Sequence, residues 1–164
     1  MNADVTRNAS FAIWIFVFLM TSVFWMAQVD NKKPVPEFDL DSLRWKHRVL
    51  LLFSPSESDS SFRLQKQDLA SRRQEVLERD LMVLEILEHG ESRASDRILS
   101  EKAAEGIRNR VGVRSGRFQV LLIGRDGGVK LRSEQPVPVQ DILGLIDSMP
   151  MRRQEMDSKR KSSP

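Results

Sequence analysis

The apolar positions of this chain fall into blocks whose spacing changes along its length. Arg48–Phe53 (RVLLLF) and Phe118–Ile123 are almost continuously apolar, and Leu81–Leu87 (LMVLEIL) is nearly so. Short runs of this kind suit strands covered on both faces. Between them the period lengthens to that of a helix. From about Ser61 to Arg79, Phe62, Leu69, Ala70, Val76 and Leu77 share one face, and Arg72, Arg73, Glu75 and Glu78 take the other. From about Asp96 to Arg110, Leu99, Ala103 and Ile107 form a stripe, with Gly112 placed to end the helix. Val139, Ile142, Leu143, Ile146 and Met149 mark a last helix, opened at Pro138 and stopped or kinked at Pro150.

Arg117–Arg132 (RFQVLLIGRDGGVKLR) organises the rest. Asp126-Gly127 offers a left-handed turn, because Gly accepts positive φ and Asp tolerates it better than most residues. Beyond it, Val129 and Leu131 point one way and Lys130 and Arg132 the other, as in a half-exposed edge strand. The order is strand, helix, strand, helix, strand, turn, strand, helix. A strand–helix–strand unit requires parallel pairing with a right-handed crossover, and the hairpin adds an antiparallel pair. The expected fold is α/β: a thioredoxin-like, four-stranded mixed sheet of order 2-1-3-4, flanked by helices and preceded by an N-terminal hydrophobic helix. Leu40–Trp45 is expected to cap the first strand, with Trp45 as a lid on the core.

The expected domains are a signal peptide or membrane anchor at 1–29, a linker at 30–39 stiffened by Pro34 and Pro36, a folded domain at 40–156, and a disordered basic tail at 157–164. No charged residue lies between Arg7 and Asp30, and Phe11–Ala27 is a long apolar run. Two readings fit it. A secretory leader cut at Ala27-Gln28 would carry Trp25 where the peptidase prefers a small residue. An uncleaved helix would span a bilayer core of about 30 Å as an anchor, with Trp25 near the interface. Either reading exports the domain, tethered and facing the periplasm or extracellular space, or secreted.

Charge and composition narrow the chemistry. The net charge is +3, and five basic against two acidic residues after Pro150 account for all of it. The near-neutral body and the absence of Tyr argue against a nucleic-acid partner. There is no Cys, which removes disulfides, thiolate nucleophiles and Cys-ligated metals together. His47 and His89 flank different strands, and Glu85 with His89 is too widely spaced for easy chelation. Gly-x-Ser-x-Gly and phosphate-loop motifs are absent. No cofactor, metal or catalytic residue is expected.

Ile123–Val137 (IGRDGGVKLRSEQPV), read with Ile146–Met156 (IDSMPMRRQEM), resembles the thioredoxin-like domain of unknown function family numbered 4174. The strings that carry the resemblance are Asp126-Gly127-Gly128-Val129-Lys130 and Met149-Pro150-Met151-Arg152 with Glu155. They stand in a match running from about Leu40 to Met156. The family includes exported bacterial proteins and repeated modules, sometimes called P-DUDES, in vertebrate matrix proteins of the coiled-coil-domain-containing and sushi-repeat types. The resemblance implies a peroxiredoxin-related thioredoxin fold and no established catalysis.

Thioredoxins carry a reactive Cys-x-x-Cys just after the first strand; here that stretch is Ser54-Pro55-Ser56-Glu57-Ser58-Asp59. Their cis-proline is replaced by Ser115-Gly116-Arg117-Phe118. Two binding ends are therefore candidates. One joins Ser56 and Ser58, on the Ser54–Ser61 loop, to Arg114 and Arg117 around a helix N-terminus that attracts anions. In the simpler reading, Glu57 and Asp59 pair with those arginines and cap the helix. The other is a docking corner at Met149, Met151 and Arg152. In its simpler reading, the methionines cap the core and the arginines pair with Glu155 or Asp157. The expected function is a non-catalytic, exported module that binds a protein or other macromolecule at the cell envelope, its partner an envelope or extracellular protein. The alternative is an enzyme, or an anion or small-ligand binder, using the Ser54–Ser61 loop with Arg114 and Arg117.

Overall fold

The computed structural model describes residues 38–162; the apolar run at 11–27 and most of the linker lie outside them. A short 3-10 turn at Leu40–Leu43 leads into β1 (Arg48–Ser56), α1 (Ser60–Ser71), α2 (Arg73–Glu78) and β2 (Leu81–His89). Next come β3 (Arg93–Ala94), β4 (Arg97–Ile98) and α3 (Glu101–Val111). The chain closes with β5 (Gln119–Ile123), β6 (Val129–Ser133), α4 (Val139–Ser148) and α5 (Pro150–Ser162). Among the described residues no helix is long and apolar enough to cross a membrane.

The sheet has six strands in the order β4-β3-β2-β1-β5-β6, not four. Four of them, β2-β1-β5-β6, follow the expected order, with β6 at the edge. β1 runs parallel to β2, with Leu51 opposite Leu84, and antiparallel to β5, with Leu51 opposite Leu121. The extra pair, β3 and β4, is a two-residue hairpin laid on the outer edge of β2 within a stretch that reads as polar loop and helix start. Local pattern could not reveal strands this short; pairing with Leu84 and Glu85 makes them strands.

Alternation along the inner strands builds two cores. Val49, Leu51, Phe53, Leu84, Ile86 and Leu121 face α3 and the 3-10 turn, meeting Ala103, Ala104, Ile107, Leu40 and Leu43. Leu50, Leu52, Val120 and Leu122 face Phe62, Leu69, Val76 and the α4 residues Val139, Ile142, Leu143 and Ile146. A strand covered on both faces buries successive residues whichever way they point, and so β1 is apolar from Val49 to Phe53 and β5 from Val120 to Ile123.

The long helix breaks at Arg72 (φ −118°) into α1 and α2. The break resets the helical phase, so the apolar face drawn through Ala70 and Leu77 does not hold: both are exposed, Leu77 by 56%. Gln65 is buried instead. Its amide donates to Val137 O (2.9 Å) and accepts from Val137 N (2.7 Å), tying the segment before α4 to α1. Trp45 is not a core lid. Left-handed backbone there (φ 65°) turns the chain into β1, the Trp45 N–H donates to Arg125 O (2.8 Å), and the side chain is 62% exposed. In the hairpin, Gly127 alone takes positive φ (83°); the Gly127 N–H donates to Gly124 O (2.9 Å) and the Asp126 carboxylate accepts from Gly128 N. α4 ends at Ser148, as a stop before Pro150 requires, and Pro150 then opens α5, where the N–H it lacks is unused. α5 then carries the basic tail in helical form through Ser162, where disorder from Asp157 is the expectation from composition.

Candidate functional site

The two candidate ends lie at opposite ends of β1. At its C-terminal end, β1 continues through Ser56 by pairing with β2, so half of the expected loop is strand. Ser54 is buried and donates to Ser56 O (2.9 Å); Ser56 and Ser58 hydroxyls sit 2.8 Å apart. Asp59 accepts from Phe62 N (2.9 Å), a side-chain cap that satisfies one of the free N–H groups of α1. The arginines do not join this loop. Arg117 reaches Glu134 at 3.4 Å with both side chains about 60% exposed, and Arg114 is exposed. Neither Glu57 nor Asp59 is among the ion pairs of the described residues. The carboxylate that organises this end is Glu88, which accepts from Gly116 N (2.7 Å) and Arg108 (3.2 Å), while Arg108 lies over the Phe53 ring. Beside it is an open cleft of about 850 Å³ lined by Glu88, Ser92, Leu99, Glu101, Arg108 and Ser115.

At the N-terminal end of β1 the charges are buried and interlocked. Arg48, only 1% exposed, heads the strand; it donates to Arg79 O (2.9 Å) and to Glu155 (2.8 Å). Arg125, from the hairpin, shares Glu155 (2.9 Å) and pairs with Asp80 (2.7 Å). Arg79 holds Asp147 in a fork at 3.0 and 2.6 Å, a bidentate arrangement that fixes both planes. Arg152 joins Asp147 (3.2 Å), Glu155 (3.4 Å) and Glu78 O (3.2 Å). Burial pushes the Asp147 and Glu155 carboxyls upward, but hydrogen bonds and charge from the arginines outweigh it, and both sit below the ordinary carboxylate range. On the rim, Lys130 bonds Asp126 (2.6 Å), which lowers the Asp126 carboxyl.

A cleft of about 400 Å³ opens on this network, lined by Arg48, Gly124, Arg125, Lys130, Met149 and Met151. Both strings that carry the family resemblance, from the hairpin and from the α4–α5 corner, therefore line one cavity. A Cβ at Gly124 would stand 2.6 Å from Lys130 Cε and 2.7 Å from Asp126 Oδ1, so the Lys130–Asp126 pair would have to shift to admit it. Met149 and Met151 are half-buried on its wall, whereas Arg152 is buried in the ion pairs and presents no free guanidinium. Sequence reasoning missed Arg48, Arg79, Arg125 and Asp147. Arg48 and Glu155 are 107 residues apart, so no spacing rule connects them. The one local signal is a charge heading an otherwise apolar strand. Among the described residues, no group of His, Asp or Glu could hold a metal ion.

These features define a peroxiredoxin-like thioredoxin fold without its sulfur. The chain is similar to the reduced 2-Cys peroxiredoxin of Plasmodium vivax (TM-score 0.53, 16% identity, 71% of this chain and 85% of that one). It is also similar to thioredoxin peroxidase I of Plasmodium yoelii (TM-score 0.51, 17% identity, 70% and 79%). More particularly, residues 39–155 match the domain of unknown function DUF4174, and the chain belongs to that family. Among curated relatives it is 30% identical over 145 residues to the coiled-coil domain-containing protein 80 of Danio rerio, covering 77% of this chain and 16% of the relative. It is 30% identical over 114 residues to the sushi repeat-containing protein SRPX2 of Xenopus laevis, covering 66% and 24%. The chain thus spans a quarter or less of the relatives it matches.

Proposed function

We propose that this protein is a non-catalytic module, exported from the cytoplasm, that binds another protein at the cell envelope or outside the cell. One observation carries the reading: a fold whose relatives of known structure include a 2-Cys peroxiredoxin has here no cysteine anywhere in the chain. The thiolate that performs chemistry at the end of β1 has no counterpart among Ser54, Ser56 and Ser58, whose hydroxyls are engaged with one another and with backbone. Two further features support it. The matched stretch is a small part of the longer relatives, as expected of a module used for binding. The apolar run Phe11–Ala27 suits a leader or anchor, and either one exports the domain. The docking side is the hairpin end, where Met149 and Met151 offer adaptable apolar surface beside fixed positive charge.

The test is cross-linking of the full chain in its native cell, comparing the wild type with a Met149→Lys/Met151→Lys variant. An envelope partner retained by the wild type and lost from the folded variant is the expected result. A chain that fractionates with the cytosol, or a partner equally retained by the variant, overturns the reading.

A further inference from the structure

We propose that the cleft between Arg48, Arg125 and the Met149–Met151 corner is a binding site for a carboxylate carried on a short apolar body. The charge balance comes first. The ion-pair network holds four guanidiniums (Arg48, Arg79, Arg125, Arg152) against three carboxylates (Asp80, Asp147, Glu155). On the rim, Lys130 and Asp126 cancel. One positive charge is left over in a partly desolvated place. A carboxylate matches it, and a phosphate dianion exceeds it.

The accessible cations of the cleft are Arg125 and Lys130, 18% and 34% exposed, while the Nε atoms of Arg48 and Arg125 are closed to solvent. A guanidinium offers N–H donors in a fork that fits a carboxylate in its plane. Met149, Pro150 and Met151 line the same cleft, unbranched or compact apolar groups suited to an alkyl body. α5 begins at Pro150, so the positive end of its macrodipole also faces this side of the fold. The cavity's volume of about 400 Å³ fits a small acid or one acidic side chain with its neighbours. The site is at the opposite end of β1 from the serine loop, and it holds whether or not the chain is exported or captures a partner.

The experiment follows methionine-methyl NMR signals of the full chain during titration with hexanoate, hexylamine and inorganic phosphate. Hexanoate is expected to move the Met149 and Met151 methyls saturably, hexylamine to leave them in place, and phosphate to bind more weakly than hexanoate. Arg125→Gln is expected to weaken hexanoate about tenfold, the loss of one charge-assisted contact. Should that variant lose its dispersed spectrum, Met151→Glu, which sets a like charge at the mouth, is expected to weaken hexanoate in a folded chain. Acetyl-Leu-Glu-Leu-amide binding more tightly than hexanoate, with its Gln counterpart silent, supports the proposal and assigns the carboxylate to a partner's side chain. Tighter hexanoate supports it and assigns a free small acid. The proposal is overturned by a wild-type chain whose Met149 and Met151 methyls ignore hexanoate, by phosphate binding as tightly, or by a folded variant with unchanged affinity.

Discussion

At the hairpin end of the sheet, Arg48 is 1% exposed and held by Arg79 O and Glu155. At the loop end, Arg117 is 61% exposed and reaches Glu134 at 3.4 Å. Two arginines, each placed beside a strand end, thus sit in opposite electrostatic regimes. The exposed pair is screened by water and weak; the buried one cannot lose a partner without leaving a bare charge. The comparison teaches that where a thioredoxin-like fold keeps its reactive group, this chain keeps a turn, a helix cap and the Glu88–Arg108 pair, and that its interlocked network of four arginines stands at the other end. Fold analogy alone would direct attention to the serine-loop end of β1 and pass over this network.

Removing Arg48 should give the largest effect. Arg48→Ala strands Glu155 and opens a void at the head of β1, and is expected to cost about 3–5 kcal/mol in urea denaturation. A cost under about 1 kcal/mol would erase the contrast between the ends. Acid comes next. Asp147 and Glu155 have depressed carboxyls in the folded state, so the stability they supply is present above the ordinary glutamate value of 4.5 and is lost as pH falls below it toward the folded values. Thermal melts from pH 7 to 3 should show that loss, and Glu155→Gln should flatten part of it. Asp59→Ala, which removes the α1 cap at the loop end, is expected to cost about 1 kcal/mol. Arg117→Ala should be smallest, within about 0.5 kcal/mol. A larger value in the same urea series would mean that the loop end carries charge-based stability after all.

Much of this fold is legible residue by residue. Continuous apolar runs at β1 and β5 meant strands covered on both faces, and Gly112, in left-handed backbone (φ 66°), ends α3 where its position in the chain suggested. Those features depend on period and on backbone sterics, which are local. The errors share one cause. β3 and β4 exist because β2 has an edge to pair with; α1 breaks at Arg72, where the buried face passes from Leu69 to Val76; Trp45 is turned outward by a left-handed residue at the entry to β1. Of the site residues, Met149 and Met151 were placed on a common wall with the hairpin only by the packing of α4 and α5 against the sheet.

Strand and helix periods, the turn at Gly127 and the lack of any cysteine are properties of neighbouring residues and of composition, and so could be read without coordinates. The meeting of Arg48, Arg79, Arg125 and Arg152 with Asp147 and Glu155 could not. Those side chains come from separate strands, turns and helices, and their pairing energy depends on burial, which only the assembled sheet and its covering helices supply.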